Sequence, residues 1–157
     1  MKKFSLFLSL MFLSLLAFEG CEKKPVGAVQ QMHWDRDMCE RCKMAISERK
    51  FAVQIIDPKT GKDYKFDDIG CAVLWMDETA LPWKKKAIIW ITDAKTGQWV
   101  DARKASYVSG AITPMAYGFA AHTEATLPKG KVVYTFDEIR QKIKEIEKQN
   151  SKKVRNY

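Results

Sequence analysis

Histidine is scarce in this chain: 157 residues hold only His33 and His122. With two histidines and no nucleophile elbow, no hydrolytic constellation can be assembled, and an enzyme reading finds little support. A membrane-spanning apolar run is lacking too. The stretch Phe4–Phe18 carries no charge but is shorter than the ~20 residues a spanning helix needs. There are four cysteines and a single Cys-x-x-Cys pair, Cys39 and Cys42. Lys43 follows that pair where histidine would be required, which excludes covalent c-type haem attachment. One such pair supplies two ligands, and a structural zinc site takes four. Acidic residues are outnumbered, 19 against 27 Lys and Arg, for a formal net charge of +8. Such a balance raises nucleic acid as a partner. The basic residues, however, gather in Lys84-Lys85-Lys86 and in the tail rather than alternating with aromatics, so no nucleic acid is expected. Surface solvation, or attraction to an acidic partner or anionic headgroups, accounts for them.

What is present begins at the N-terminus. Lys2 and Lys3 precede the apolar run, and the run ends at Glu19-Gly20-Cys21. A basic start, a short apolar core and a small residue before cysteine read as a lipoprotein signal peptide over residues 1–20, with Cys21 as the lipidated residue. Phe18 and Glu19 are atypical before that Gly-Cys, which leaves a plain signal peptide or an uncleaved anchor as alternatives. All three place the rest of the chain in the cell envelope, facing the periplasm, with lipid attachment to the membrane as the expected form. Residues 21–157 then have the size of one compact domain or two very small ones. They divide into a tether over 21–36, a folded domain over 37–150 and a basic tail over 151–157.

The chemistry concentrates in Met38-Cys39-Glu40-Arg41-Cys42-Lys43-Met44, which holds two thiols and two thioethers in seven residues. Soft sulfur donors select Cu(I) over harder ions. Cys39, Cys42 and Cys71 remain once Cys21 is lipidated, an odd count that leaves at least one thiol unpaired in an oxidising compartment. Either Cys39 and Cys42 close a short disulfide, or a bound metal keeps the thiolates from oxidising. Cys71 itself falls within an apolar helical pattern and reads as a buried structural thiol.

The rest of the chain patterns as α+β. Phe51–Ile56 is strand-like, Asp57–Lys62 is turn chemistry, and Asp63–Phe66 alternates as a half-buried strand does. Asp67 or Asp68 caps a helix whose apolar face is Ile69, Ala72, Val73 and Met76. A strand at Ala87–Thr92, a turn Asp93–Gln98 and a return at Trp99–Arg103 repeat the earlier hairpin thirty-six positions on, with Asp-x-Lys-Thr-Gly shared. This suggests an internal duplication: two small related units, each a β-hairpin with a helix, packed as one domain. A Gly- and Pro-bearing segment spans 107–122, and an amphipathic helix with Ile139, Ile143 and Ile146 in a stripe closes the chain.

Taken together, Met38-Cys39-x-x-Cys42-x-Met44, Phe66-Asp67-Asp68, Trp99-Val100-Asp101-Ala102-Arg103 and Thr113-Pro114-Met115-Ala116-Tyr117-Gly118-Phe119 resemble the NosL family, lipoproteins encoded with nitrous oxide reductase. The likeness runs from about Asp37 to His122. Two positions depart from the family pattern: Lys43 stands where Cys-Gly-Met has its glycine, and Ala116 where Pro-Met-Gly has its own. The resemblance implies a Cu(I) chaperone that supplies the copper–sulfur site of the reductase or a related copper enzyme. Its partners would be that client or its assembly factors, and the membrane through the N-terminal lipid. The expected Cu(I) ligands are Cys42 first, then Met115 if the two halves meet, then Met44 and Cys39. His122 and His33 are candidates for an adjacent, harder site that would take Zn(II). Two other functions stay open. One is a thiol–disulfide oxidoreductase using Cys39 and Cys42. The other is a zinc-binding structural lipoprotein that adds His33 and Cys71.

Overall fold

A computed structural model describes residues 25–155; the expected signal peptide, the expected lipidation site at Cys21 and the last two residues of the expected tail lie outside them. The described chain is α+β, as expected, with two antiparallel sheets and two helices. The first sheet is built from β1 (Val53–Ile56), β2 (Asp63–Phe66), β3 (Ile88–Thr92) and β4 (Trp99–Asp101), in the order β2-β1-β3-β4. Helix α1 (Ile69–Glu78) leaves β2 and packs back on β1 and β2. The second sheet holds β5 (Ser106–Ser109), β6 (Phe119–His122) and β7 (Val133–Tyr134), in the order β6-β5-β7. Helix α2 (Phe136–Arg155) follows β7 and packs on β5 and on α1.

The first sheet therefore carries two hairpins and a helix, and the second a hairpin, a further strand and a helix. The repeated Asp-x-Lys-Thr-Gly hairpins do not open separate units, however. Both lie side by side in the first sheet, as β1–β2 and β3–β4. What repeats is a turn with one solution to its hydrogen bonding. In each, the aspartate carboxylate accepts the N–H two residues on, from Lys59 at 2.8 Å and from Lys95 at 2.9 Å. Each closes on a glycine at φ +73°, Gly61 and Gly97, where an L side chain would be strained. The second sheet comes from the segment in which Gly110, Pro114 and Gly118 interrupt the pattern.

Central strand β1 is buried over its whole length, Gln54 included. Val53 and Ile55 enter the core, and Gln54 points to the other face. A buried amide must find partners. The Gln54 Oε1 accepts the Gln30 N–H, and its Nε2 donates to the Gln30 carbonyl, both at 2.9 Å. The Trp90 indole N–H reaches the Gly27 carbonyl at 2.8 Å, and Lys65 Nζ reaches that of Gln31 at the same distance. The described part of the expected tether thus lies as a strap across β3, β1 and β2.

Helix α1 begins at Asp68, whose carboxylate accepts the Gly70 N–H. Helix α2 begins with a capping box: Thr135 N–H meets the Glu138 carboxylate at 2.7 Å, and Glu138 N–H meets the Thr135 hydroxyl at 3.4 Å. Ile139 and Ile143 are fully buried, and α2 continues through 151–155, part of the expected tail. Among the described residues, no helix is long and apolar enough to cross a membrane.

The second turn is also where the two sheets meet. Burial would push the Asp93 carboxyl up, but donors from both sheets outweigh it. The Thr126 hydroxyl and the backbone N–H groups of Thr123, Thr96 and Lys95 lower it from 3.8 to about 2. A carboxyl lowered on folding stabilises the native state above its ordinary value, and that contribution disappears as pH falls toward 2. Between pH 5 and pH 2 the parent is expected to lose about 2 kcal/mol more unfolding free energy than Asp93→Asn, measured by urea titration at each pH. Equal losses would show that the turn does not depend on this charge.

Candidate metal centre

The Cys39–Met44 segment folds as a tight knuckle. Met38 and Ala45 pair as an antiparallel bridge, Cys39 N–H donates to the Met44 carbonyl at 2.8 Å, and Lys43 N–H to the Cys39 carbonyl at 3.0 Å. This wraps the backbone around the sulfurs. The Cys42 and Asp67 N–H groups donate to the Cys39 sulfur, and the Met44 N–H to that of Cys42. N–H groups aimed at sulfur favour the thiolate, the form that binds metal.

Four side chains converge there: Cys39, Cys42, Cys71 and Asp67, with one potential ligand atom of each within 4.8 Å of the others. They arrive from three elements. The knuckle brings Cys39 and Cys42, the end of β2 brings Asp67, and the first turn of α1 brings Cys71. Cys39 and Cys71 are fully buried, and Cys42 alone is half-buried. All three thiols are free. A hydrogen bond from Cys71 lowers Cys39, while that same bond and burial push Cys71 up. Burial raises Cys42, whose Sγ donates to Asp67 Oδ2 at 3.3 Å. Of the three, Cys39 is the thiol that its surroundings favour most for ionisation. The other oxygen, Asp67 Oδ1, is buried and has no hydrogen-bond partner. A buried carboxylate oxygen without a donor is costly, and a cation beside it would offset that cost.

The expected ligands fare unequally. Cys42 and Cys39 are at the centre. Met44 and Met38 flank it, with about half of each side chain in solvent, 53% and 52% exposed. Met115 packs half-buried against the core, and its N–H donates at 3.2 Å to Asp68, the neighbour of Asp67. His33 is exposed and lies 3.4 Å from the Asp37 carboxylate, and His122 is buried on β6; neither joins the convergent group. The sequence reading made Cys71 a structural thiol, whereas the fold brings it to the other two. The odd thiol count carried that signal, as did Asp67 beside a helix cap.

A second set of contacts fixes the surroundings. Asp68 Oδ2 accepts the Thr113 hydroxyl at 2.6 Å, so the loop bearing Met115 is tied to the start of α1. The Tyr117 ring lies on Gly70, where an added Cβ would come within 2.0 Å of it. Arg41, between the two knuckle cysteines, donates to Glu78 on α1, to Glu147 on α2 and to the Tyr117 hydroxyl. Lys43 and Ala116, the two departures from the family pattern, are both in the left-handed region, at φ 60° and 58°. The backbone keeps the shape that glycine would adopt without strain.

Fold and donors together define a class: a two-sheet α+β protein with a thiol-rich candidate metal centre. The solved structure of the copper chaperone NosL from Shewanella denitrificans has this fold, with a TM-score of 0.51 at 17% sequence identity. The similarity covers 73% of this chain and 96% of that one. No family model matches the sequence, and no curated protein does.

Replacing Lys43 or Ala116 by glycine is expected to raise the unfolding free energy by roughly 0.5–1 kcal/mol each, measured by urea denaturation. Among the described residues, the side-chain contact removed with Lys43 is an exposed pair with Glu40 at 3.2 Å. Destabilisation by both glycines would show that these positions are not strained.

Proposed function

We propose that this chain is a Cu(I) carrier of the cell envelope, attached to the membrane through lipid on Cys21. It would pass copper to a client that houses a copper–sulfur site, and the NosL resemblance points to nitrous oxide reductase or its assembly factors. The supporting observation is the convergence of Cys39, Cys42 and Cys71 with Asp67 in a fold shared with a copper chaperone. Three sulfurs suit a soft monovalent ion. A carrier must also let go, and here only Cys42 reaches the surface, with Met44 exposed beside it. An acceptor's thiol or thioether would meet the ion on that side and displace Cys42 first. Met115 would supply a further sulfur from the second sheet's loop.

A carboxylate among four closely spaced donors favours one second reading, a Zn(II) site. Competition decides between them. Reduced protein titrated anaerobically against a Cu(I) chelator is expected to take up about one ion per chain and to keep it in excess Zn(II). Cys42→Ser and Cys71→Ser should each weaken Cu(I) by at least about tenfold. Combined with Met115→Ala, the losses should be non-additive, because residues serving one ion do not act independently. Stoichiometric zinc without copper would replace the carrier with a zinc protein. Purely additive losses would confine the site to the knuckle and α1.

The anchor has its own test. Cys21→Ser is expected to move the protein from the membrane fraction to the soluble periplasmic fraction, or to leave it unprocessed. Lipid labelling that survives this substitution would place the attachment elsewhere.

A further inference from the structure

A cavity of about 250 Å³ opens at the far end of α1 from the thiols, on the seam between the two sheets. Helix α1 lines it with Met76 and Asp77, and α2 with Phe136 and Arg140. The connection into β3 adds Lys84 and Lys85, and the turn between β4 and β5 adds Arg103. Four cations from three parts of the chain therefore face one carboxylate.

That carboxylate does not neutralise them. Asp77 is engaged by Lys144 at 2.7 Å, outside the cavity lining, and sits a longer 3.6 Å from Arg140, whose other terminal nitrogen lies 3.5 Å from the solvent-exposed carboxylate of Asp137. The Arg140 Nε is buried and has no acceptor. Arg103 is held above the Phe136 ring, 5.4 Å from its centroid, with one weak bond at 3.4 Å to the Ala87 carbonyl. Among the described residues, Lys84 Nζ reaches the Met76 carbonyl alone, also at 3.4 Å. Lys85 is exposed. Clustering cations against an apolar floor is unfavourable unless an anion joins them.

We propose that this cavity binds a phosphate group. Two guanidiniums offer forked donors for its oxygens, two ammoniums supply point charge, and the uncompensated charge suits a doubly charged anion better than a single carboxylate. The buried Arg140 Nε–H gains its missing acceptor. Met76 and Phe136 form a floor on which the carbon atoms of an ester would rest. Two sources present this chemistry: a free phosphate or phosphate monoester, and the headgroup of an anionic phospholipid. Because α1 and α2 both line the cavity, the bound group would also brace one sheet against the other. This site is independent of the metal reading.

The test uses the full chain carrying Cys21→Ser, titrated with inorganic phosphate and followed by amide chemical shifts. Saturable binding is expected, with the largest shifts at residues 76–77, 84–85, 103 and 136–140. Lys85→Gln and Arg103→Gln should each weaken it by about tenfold. Neither removes a buried ion pair, so both should fold, which the thermal midpoint without phosphate checks. Arg140→Gln should abolish binding. No saturable response up to about 50 mM phosphate, or equal affinity in the parent and all three variants, would overturn the proposal. Vesicles of phosphatidylglycerol, set against phosphatidylcholine, separate the sources. Displacement of phosphate by the anionic vesicles alone supports a headgroup, and undisturbed phosphate binding supports a free ester.

Discussion

Asp68 is buried, and its carboxylate holds groups from distant parts of the chain. One oxygen accepts the Gly70 N–H and starts α1. The other accepts the Thr113 hydroxyl and the Met115 N–H, forty-five and forty-seven residues away. Burial raises this carboxyl, and these three bonds oppose the rise. Everything around the thiols depends on the junction. It sets where α1 begins, and so where Cys71 stands in its first turn. It leaves the preceding residue, Asp67, facing the knuckle. It also brings the second sheet's methionine-bearing loop beside the first sheet's cysteines.

Local patterns were legible in the sequence where a residue's partner lies close along the chain. The strand Asp63–Phe66, the Asp68 cap, the stripe Ile139–Ile143 and the knuckle all announce themselves within a few positions. Strands β5 and β6 did not, because Gly110, Pro114 and Gly118 punctuate a segment whose strands are four residues each. The strap was hidden for a different reason. Residues 27–31 dock mainly through backbone groups, to Gln54, Trp90 and Lys65, and backbone groups leave no apolar periodicity. The meeting of Cys71 with the other two thiols was hidden because its neighbours along α1 are mostly buried apolar residues. The side on which they meet is fixed by β2 and the knuckle, which the periodicity of the helix cannot express.

The duplicated turn carries a related lesson. Asp-x-Lys-Thr-Gly recurs because a carboxylate, a hydroxyl and a glycine at φ +73° together satisfy one tight hairpin. Similarity of local chemistry need not mark the boundary of a folded unit. Here the copies are neighbours in one sheet, and the division between sheets falls after β4. The two turns still differ in reach: Asp93 adds Thr123 and Thr126 from across the seam, whereas the bonds of Asp57 stay within its own turn.

Arg41 makes the setting of the thiol cluster a property of distant parts of the chain. It lies between Cys39 and Cys42 in sequence, yet one of its partners, Glu147, is separated from it by 106 positions. The same guanidinium also holds Glu78 on α1 and the Tyr117 hydroxyl. The loop of the two cysteines is therefore held against both helices by a single side chain, and a chain cut before Glu147 would display the cysteine motif without its tie to α2.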